Sequence, residues 1–449
     1  MQRGLTESLG SFVAGLQPQD VPPPAIAAVR RGMADCVGVA FASVGEPVLA
    51  HARALVAVGA EGEARLWLQP ESAAAIDAGF LNAVAGHALD FDDTGLDGHP
   101  SVVLAPAVLA EAERLRLTWQ HAVTAYAVGY EVWAELVGRD ADKHHGKGWH
   151  PTAVFGAVAC AAAGAWLRRL TPAQTSHALG IAASMAGGLV ANFGSMTKPL
   201  QVGFAVRNGL LAAALAQRGV TAALDALESP RGFLAAISPA GKVRLDGPVR
   251  AGAPWQLLEQ GLNVKRYPVC YAAHRIVDAA LELRPRVDGR WADIEEVDVA
   301  IGQFQAAMLR SSRPQTALDA KFSAEYTVAC ALLRGRLGLH ELSEAEVNAP
   351  DVQALLRKVR VVVQDERDEL EPLFSPADLL SVRLRDGSRL AAEPVRRALG
   401  HASRPIGDAE LRDKFLQCAS FACDDTQAQR WWAAATAPLD APVRWPSAS

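Results

Sequence analysis

HALDFDDTGLDGHPSVVLAP, residues 87–106, packs Asp90, Asp92, Asp93, Thr94, Asp97 and His99 together and then turns abruptly apolar. Pro100 follows His99 directly. Proline is favoured at the first position of a helix, where its missing N–H would be unpaired anyway. The stretch therefore predicts an acidic loop running into a buried helix, with His99 at the N-cap. Free backbone N–H groups and the positive end of the helix dipole lie beside such a residue. The arrangement recurs in Gly148-Trp149-His150-Pro151, which opens the apolar run 152–167, and in Met196-Thr197-Lys198-Pro199, which opens a helical pattern reaching Gln217. Any one of these is adequately read as an ordinary loop-to-helix junction. Three together indicate a site, because helix N-termini attract anions and three converging ends would suit a substrate carrying carboxylates.

Outward from this stretch, residues 22–262 read as helical throughout. Pro22-Pro23-Pro24 precede a helix over 25–43, residues 71–87 are Ala-rich, 118–137 carry Ala, Val, Tyr and Trp at helical spacing, and Thr171-Pro172 starts another helix. Ala and Gly at this density let helices approach closely. The character changes near Val264. Residues 294–304 alternate like a half-buried strand, 356–364 end in a β-branched run, and 379–384 and 389–392 flank the hairpin signal Asp386-Gly387. Helical patterns at 271–283 and 322–334 lie among them, and after Gly400 the signal returns to helix at 408–419 and 426–435. The expected organisation is a large helical domain over 1–262, an α+β unit over 263–399, and C-terminal helices over 400–449 that return to the first domain.

At 449 residues two domains are the default. Half of the residues are apolar and the net charge is −5, with no basic stripe interleaved with aromatics, so nucleic-acid binding is not expected. The first twenty residues hold no run resembling a signal peptide, and the run 152–167 is too short and too rich in Ala and Gly for a membrane span. Cys36, Cys160, Cys270, Cys330, Cys418 and Cys423 lie far apart with no C-x-x-C pair. They read as free thiols of a cytoplasmic protein, with no zinc or iron–sulfur framework.

Asp90-x-Asp92-x-Thr94-Gly95 resembles the start of a calcium loop, but its twelfth position is Ser101 where a glutamate is needed. Asp92-Asp93 could serve a magnesium-dependent terpenoid synthase only with a second metal motif, and none is found. Neither metal nor organic cofactor is expected. Proton chemistry accounts for the residues better. Removing a proton next to a carboxylate needs a base, and the developing charge needs cations or hydrogen-bond donors. A histidine at a helix N-terminus tends to stay neutral and able to accept a proton. His99 and His150 are the two candidates, and Lys198 would anchor a carboxylate. Lys265 and Arg266 add cations at the domain junction. Tyr326, inside an apolar helix pattern, reads by default as a core aromatic.

HALDFDDT followed by GHPS, then GWHPTAVFG, TKPLQVGFAVRNG, KRYPVCYAAHRIVDAA and FSAEYTVACAL resemble, in order and over nearly the whole chain, the MmgE/PrpD family. The family includes 2-methylcitrate dehydratase, cis-aconitate decarboxylase and iminodisuccinate epimerase. The resemblance implies a mainly α fold in which a large helical domain carries an inserted α+β lid, usually as a homodimer, without a metal or organic cofactor. It implies catalytic roles for Asp90, His99, His150 and Lys198, and substrate contacts from Thr94, Lys265, Cys270, His274 and Tyr326. At the lid segment Cys270 stands where the decarboxylase has histidine, with His274 four residues on, and the Thr94–His99 spacing is one residue shorter. Both departures point away from the decarboxylase. The expected activity is that of a hydro-lyase on a small di- or tricarboxylic acid, with epimerisation as the runner-up, decarboxylation less favoured, and a non-catalytic helical binding protein as the rival from another class.

Overall fold

The structure, a computed structural model, describes residues 4–287 and 289–446. The chain is mainly α-helical and divides into two compact units. One runs up to Val264 and resumes at Gly407; the other is Lys265–Ile406. The second unit extends past the expected end at 399. Residues 392–406 form neither helix nor long strand but are tied to its helix His274–Val287. Asp278 accepts the backbone N–H of Leu399 at 2.6 Å and pairs with Arg404 at 3.2 Å.

In the first unit, the helix Pro151–Leu167 buries every residue except Trp166. Its small side chains explain how. A Cβ placed on Gly209 of the helix Thr197–Gln217 would come within 2.4 Å of Cys160 Cβ and 2.6 Å of the Ala157 carbonyl, so the two backbones meet only because Gly209 lacks one. Around this pair pack Ala75–His87, Pro100–Arg114, Trp119–Val137 and Pro172–Met185. Thr171 caps the last of these in a reciprocal capping box with Gln174. The C-terminal helices Asp408–Ala419 and Asp425–Ala435 belong to the same core. Phe415 and Trp431 sit 6.3 Å and 4.9 Å, ring to ring, from Phe41 of the helix Pro23–Ala42.

Two expectations need correction. Residues 22–262 are not helical throughout. Val58–Gly59, Ala64–Arg65 and Ser72–Ala73 form a small antiparallel sheet, and 218–255 hold only the short helix Phe233–Ile237, because prolines and glycines punctuate that stretch. Also, Pro199 is the third residue of its helix, which begins at Thr197, so Lys198 lies inside the first turn instead of ahead of it.

The second unit has a four-stranded sheet in the order Val359–Gln364, Ile294–Gly302, Leu379–Leu384, Arg389–Ala391. The last two strands make the hairpin announced by Asp386-Gly387, with Gly387 at φ +86° and Asp386 accepting the Ser388 N–H. The parallel pairing of Val297–Gly302 with Val359–Gln364 had no sequence signal. Helices His274–Val287 and Ala324–Arg334 share one core with the sheet. Among the described residues, no single helix is long and apolar enough to cross a membrane.

Candidate active site

The acidic loop begins where the helix Ala75–His87 ends and finishes where the helix Pro100–Arg114 begins, with His99 as N-cap. Asp90 and Asp97 take left-handed backbone angles (φ 55° and 60°), which aspartate adopts more readily than most residues. The Thr94 and Asn263 peptides exchange hydrogen bonds at 2.9 and 2.8 Å, which ties the loop to a distant segment, and Gly95 and Gly98 bond each other likewise, which closes the loop on itself. His99 donates its backbone N–H to Thr152 Oγ1 at 3.2 Å, in the first turn of the helix that His150 caps. Lys198 Nζ, from the first turn of the third helix, bonds Asp90 Oδ1 at 2.9 Å. The three helix starts converge.

Four expected residues, Asp90, His99, His150 and Lys198, come together here, and the structure adds two that sequence reasoning left without a role. Asp92 is fully buried. It accepts from His87 Nδ1 through both oxygens at 3.0 Å and lies 3.0 Å from His99 Nδ1, the latter contact bent away from the N–H direction. Burial by itself would raise this carboxyl, but the two imidazoles outweigh it and hold Asp92 well below the usual carboxylate range. His87 is pushed down to about 4 by burial, with Lys198 adding to the shift against the pull of Asp92, and so is neutral. Its ring stands 4.8 Å from that of His99 and 5.9 Å from that of His150. His99 Nε2 faces Asp90 Oδ1 at 3.6 Å. His150 Nδ1 meets Gln201 Oε1 at 2.7 Å, and its ring packs edge-on against Phe193, whose face also carries the Lys198 ammonium at 5.1 Å. Burial, then His87 and Lys198, push His150 down to about 2.

Behind the loop lies a second layer of buried charge. Lys414, from the C-terminal helix Asp408–Ala419, pairs with Asp35 at 2.7 Å, donates to the Phe91 carbonyl at 3.0 Å and sits 3.9 Å over the Phe91 ring. Asp93 shares hydrogen bonds with the Ser101 N–H and hydroxyl, and Ser101 meets the Tyr126 hydroxyl at 2.8 Å. Burial pushes the Asp93 carboxyl up to about 8, with Asp35 and Asp92 adding to it against the Ser101 bonds.

His87, Asp90, Asp92 and His99 each offer a ligand atom within 4.8 Å of the others, the one described group that could hold a metal ion. A cation there would have to displace the Lys198 ammonium from Asp90 and the His87 imidazole N–H from Asp92, so both carboxylates already have partners among the side chains.

Thr94 lies in the acidic loop itself, and the other expected residues belong to the second unit. Lys265 is buried. Cys270 is also buried, and its backbone N–H donates to the Lys321 carbonyl at 2.9 Å. His274 and Tyr326, expected as substrate contacts, are interior residues of that unit. His274 is fully buried between the Tyr267 and Tyr271 rings, with Nε2 3.4 Å from the Val269 carbonyl. Tyr326 is fully buried and donates its hydroxyl to the Glu341 carbonyl, as the core-aromatic reading of its helix had it.

This constellation can be set beside known proteins. Sequence models of the MmgE/PrpD N-terminal domain and C-terminal domain match residues 7–246 and 267–437. The chain belongs to the MmgE/PrpD family. Among its relatives are the cis-aconitate decarboxylases of Mus musculus (29% identical, covering 95% of this chain and 89% of that protein), Homo sapiens (28%, covering 94% and 89%) and Aspergillus terreus (27%, covering 94% and 91%). Family members of this kind are enzymes. His87 and Gln201 lie inside the very motifs that carry the family likeness, HALDFDDT and TKPLQVGF, so position in a motif was their available signal. Lys414 had none, being one lysine on an amphipathic helix.

Proposed function

We propose that the protein is a lyase that needs no cofactor and acts on a small tricarboxylic acid by proton transfer at a carbon next to a carboxylate. The observation that carries this reading is the convergence of three helix N-termini on His99, His150 and Lys198, with Asp90 and Asp92 beside them. His99 Nε2 is the proton acceptor. The Lys198 ammonium and the positive ends of the three helices stabilise the charge that develops on the substrate carboxylate. In a dehydration, the proton that His99 takes from carbon passes to the departing hydroxyl, and an alkene and water result.

Elimination of water remains the first reading because Cys270 replaces the histidine of the decarboxylase and the loop before His99 is one residue shorter. Loss of carbon dioxide from a cis-aconitate-like acid is the second reading, favoured by the relatives' names. In that case a carbon–carbon bond breaks, and protonated His99 or a nearby donor returns a proton to carbon. The deciding experiment incubates the enzyme in deuterated water with 2-methylcitrate, citrate and cis-aconitate. An ultraviolet-absorbing alkene from the hydroxy acids supports dehydration. Itaconate from cis-aconitate supports the second reading and overturns the first, and deuterium exchange without either product indicates epimerisation. No change in any acid would overturn the proposal.

A further inference from the structure

We infer that Gln201 is a positioning residue that fixes His150 as its Nδ1–H tautomer, so that His150 offers a bare Nε2 to a substrate hydroxyl while proton transfer falls to His99. The inference rests on the tricarboxylate lyase reading for the substrate, but its structural half does not.

The tautomer follows from a chain of hydrogen bonds with one consistent solution. Gln201 Nε2 lies 3.1 Å from the Leu189 carbonyl, which can only accept. With the amide turned the other way, its oxygen would face that carbonyl oxygen and its NH2 would face a ring nitrogen that must then be bare. The amide therefore points its oxygen at His150 Nδ1, 2.7 Å away, and that nitrogen must carry the proton. Nε2 is then left with its lone pair.

The frame around this bond is rigid. His150 donates its backbone N–H to the Gly188 carbonyl at 3.0 Å, and Val190 donates to the Gly148 carbonyl at 2.9 Å, so the segment holding Leu189 is laced to the segment holding His150. Gly188 makes the approach possible. It has φ +145°, and a Cβ there would lie 2.8 Å from Ala153 Cβ, 3.2 Å from Gln201 Oε1 and 3.3 Å from His150 Cβ. Gln201 is itself buried, so water does not compete for the bond.

The contrast with His99 assigns the roles. His99 has an ionised carboxylate, Asp92, at its Nδ1, and a carboxylate stabilises an imidazolium. His150 has a neutral amide there, and burial beside the Lys198 ammonium disfavours a second proton. A neutral imidazole with a bare nitrogen accepts a hydrogen bond from a hydroxyl. A hydroxyl held this way keeps an oxygen lone pair free for the proton that His99 has taken from carbon, and water can leave.

The test uses the full-length enzyme with 15N-labelled histidine, assigned with His150→Gln and His99→Gln spectra. In the resting wild-type enzyme His150 should show a protonated Nδ1 and a bare Nε2 from pH 5 to 9. A protonated Nε2, or titration within that range, would overturn the tautomer assignment. Gln201→Leu, checked for folding by its thermal melt, should give a mixture of tautomers and raise KM for the hydroxy acid about tenfold, with a smaller change in kcat. A fall in kcat with KM unchanged would mean that His150 carries the proton, and would overturn the division of roles. If no acid is turned over at all, the lyase reading fails, while the resting-enzyme spectrum still decides the tautomer.

Discussion

His99 and His150 are the same local device. Each caps a long helix, each is followed by proline, and their helix starts are joined by the bond from the His99 N–H to Thr152. What differs is the group behind the ring. His99 stands before Asp92, a carboxylate kept ionised in the interior, and keeps some exposure at the site, whereas His150 is buried against a glutamine amide and two aromatic rings. A local motif therefore sets where an imidazole sits, and residues distant in sequence set its chemistry.

The largest expected effect separates the pair directly. His99→Gln should lower kcat by about 10²–10⁴, the worth of a general base, while His150→Gln should mainly raise KM. Steady-state kinetics on whichever acid is turned over reads both, and equal losses in kcat would erase the distinction.

Lys414→Met tests whether the anionic side depends on its distant support. Removing one partner of a buried ion pair costs about 3–5 kcal/mol, because Asp35 would be left without its counter-charge. The variant should melt well below the wild type, and whatever remains folded should lose activity as the Phe91 carbonyl loses its anchor. A melting point within a degree or two of the wild type would show that the Asp35–Lys414 pair does not hold the loop.

A smaller effect is read in the pH dependence of stability. Asp93, raised from 3.8 to about 8, stays protonated when folded over a range where the unfolded chain is ionised, so its contribution is full at low pH and declines as pH rises towards 8. His87 and His150, lowered from 6.5 to about 4 and about 2, are neutral when folded over a range where the unfolded chain is charged, so their contribution is full above 6.5 and declines as pH falls. Between pH 4 and 6.5 the two slopes oppose. From 6.5 to 8 the carboxyl acts without that opposition, and stability falls. Asp93→Asn can keep both Ser101 contacts and should flatten that fall in thermal melts; an unchanged slope would refute the assignment.

The smallest expected effect is none. Because the Lys198 ammonium already pairs with Asp90 and the His87 N–H is already bonded to Asp92, chelators should leave turnover unchanged. Activity lost to a chelator and restored by magnesium, zinc or calcium would make His87, Asp90, Asp92 and His99 a metal site.

Much of the arrangement was legible in the chain. Proline at the first helical position placed His99 and His150 at their caps, the Asp386-Gly387 turn placed a hairpin, and Ala and Gly along 151–167 announced close helix packing. These are local matters, fixed by backbone sterics and by side-chain periodicity within a few residues. The change of character near Val264 was visible too, whereas residues 392–406 carry no periodic signal and are held by Asp278, more than a hundred residues back.

The sequence alone therefore determined which residue types stand at the helix starts and that the chain carries a helical and an α+β unit. Only the tertiary structure decided that Asp92 lies behind His99 and His87, that Gln201 faces His150, that Lys414 reaches the Phe91 carbonyl, and that Tyr326 is an interior residue. The physical reason is that protonation state and hydrogen-bond direction depend on burial and on what lies within about 3 Å. Those neighbours come from segments as much as 323 residues apart, brought together by packing that no local pattern encodes.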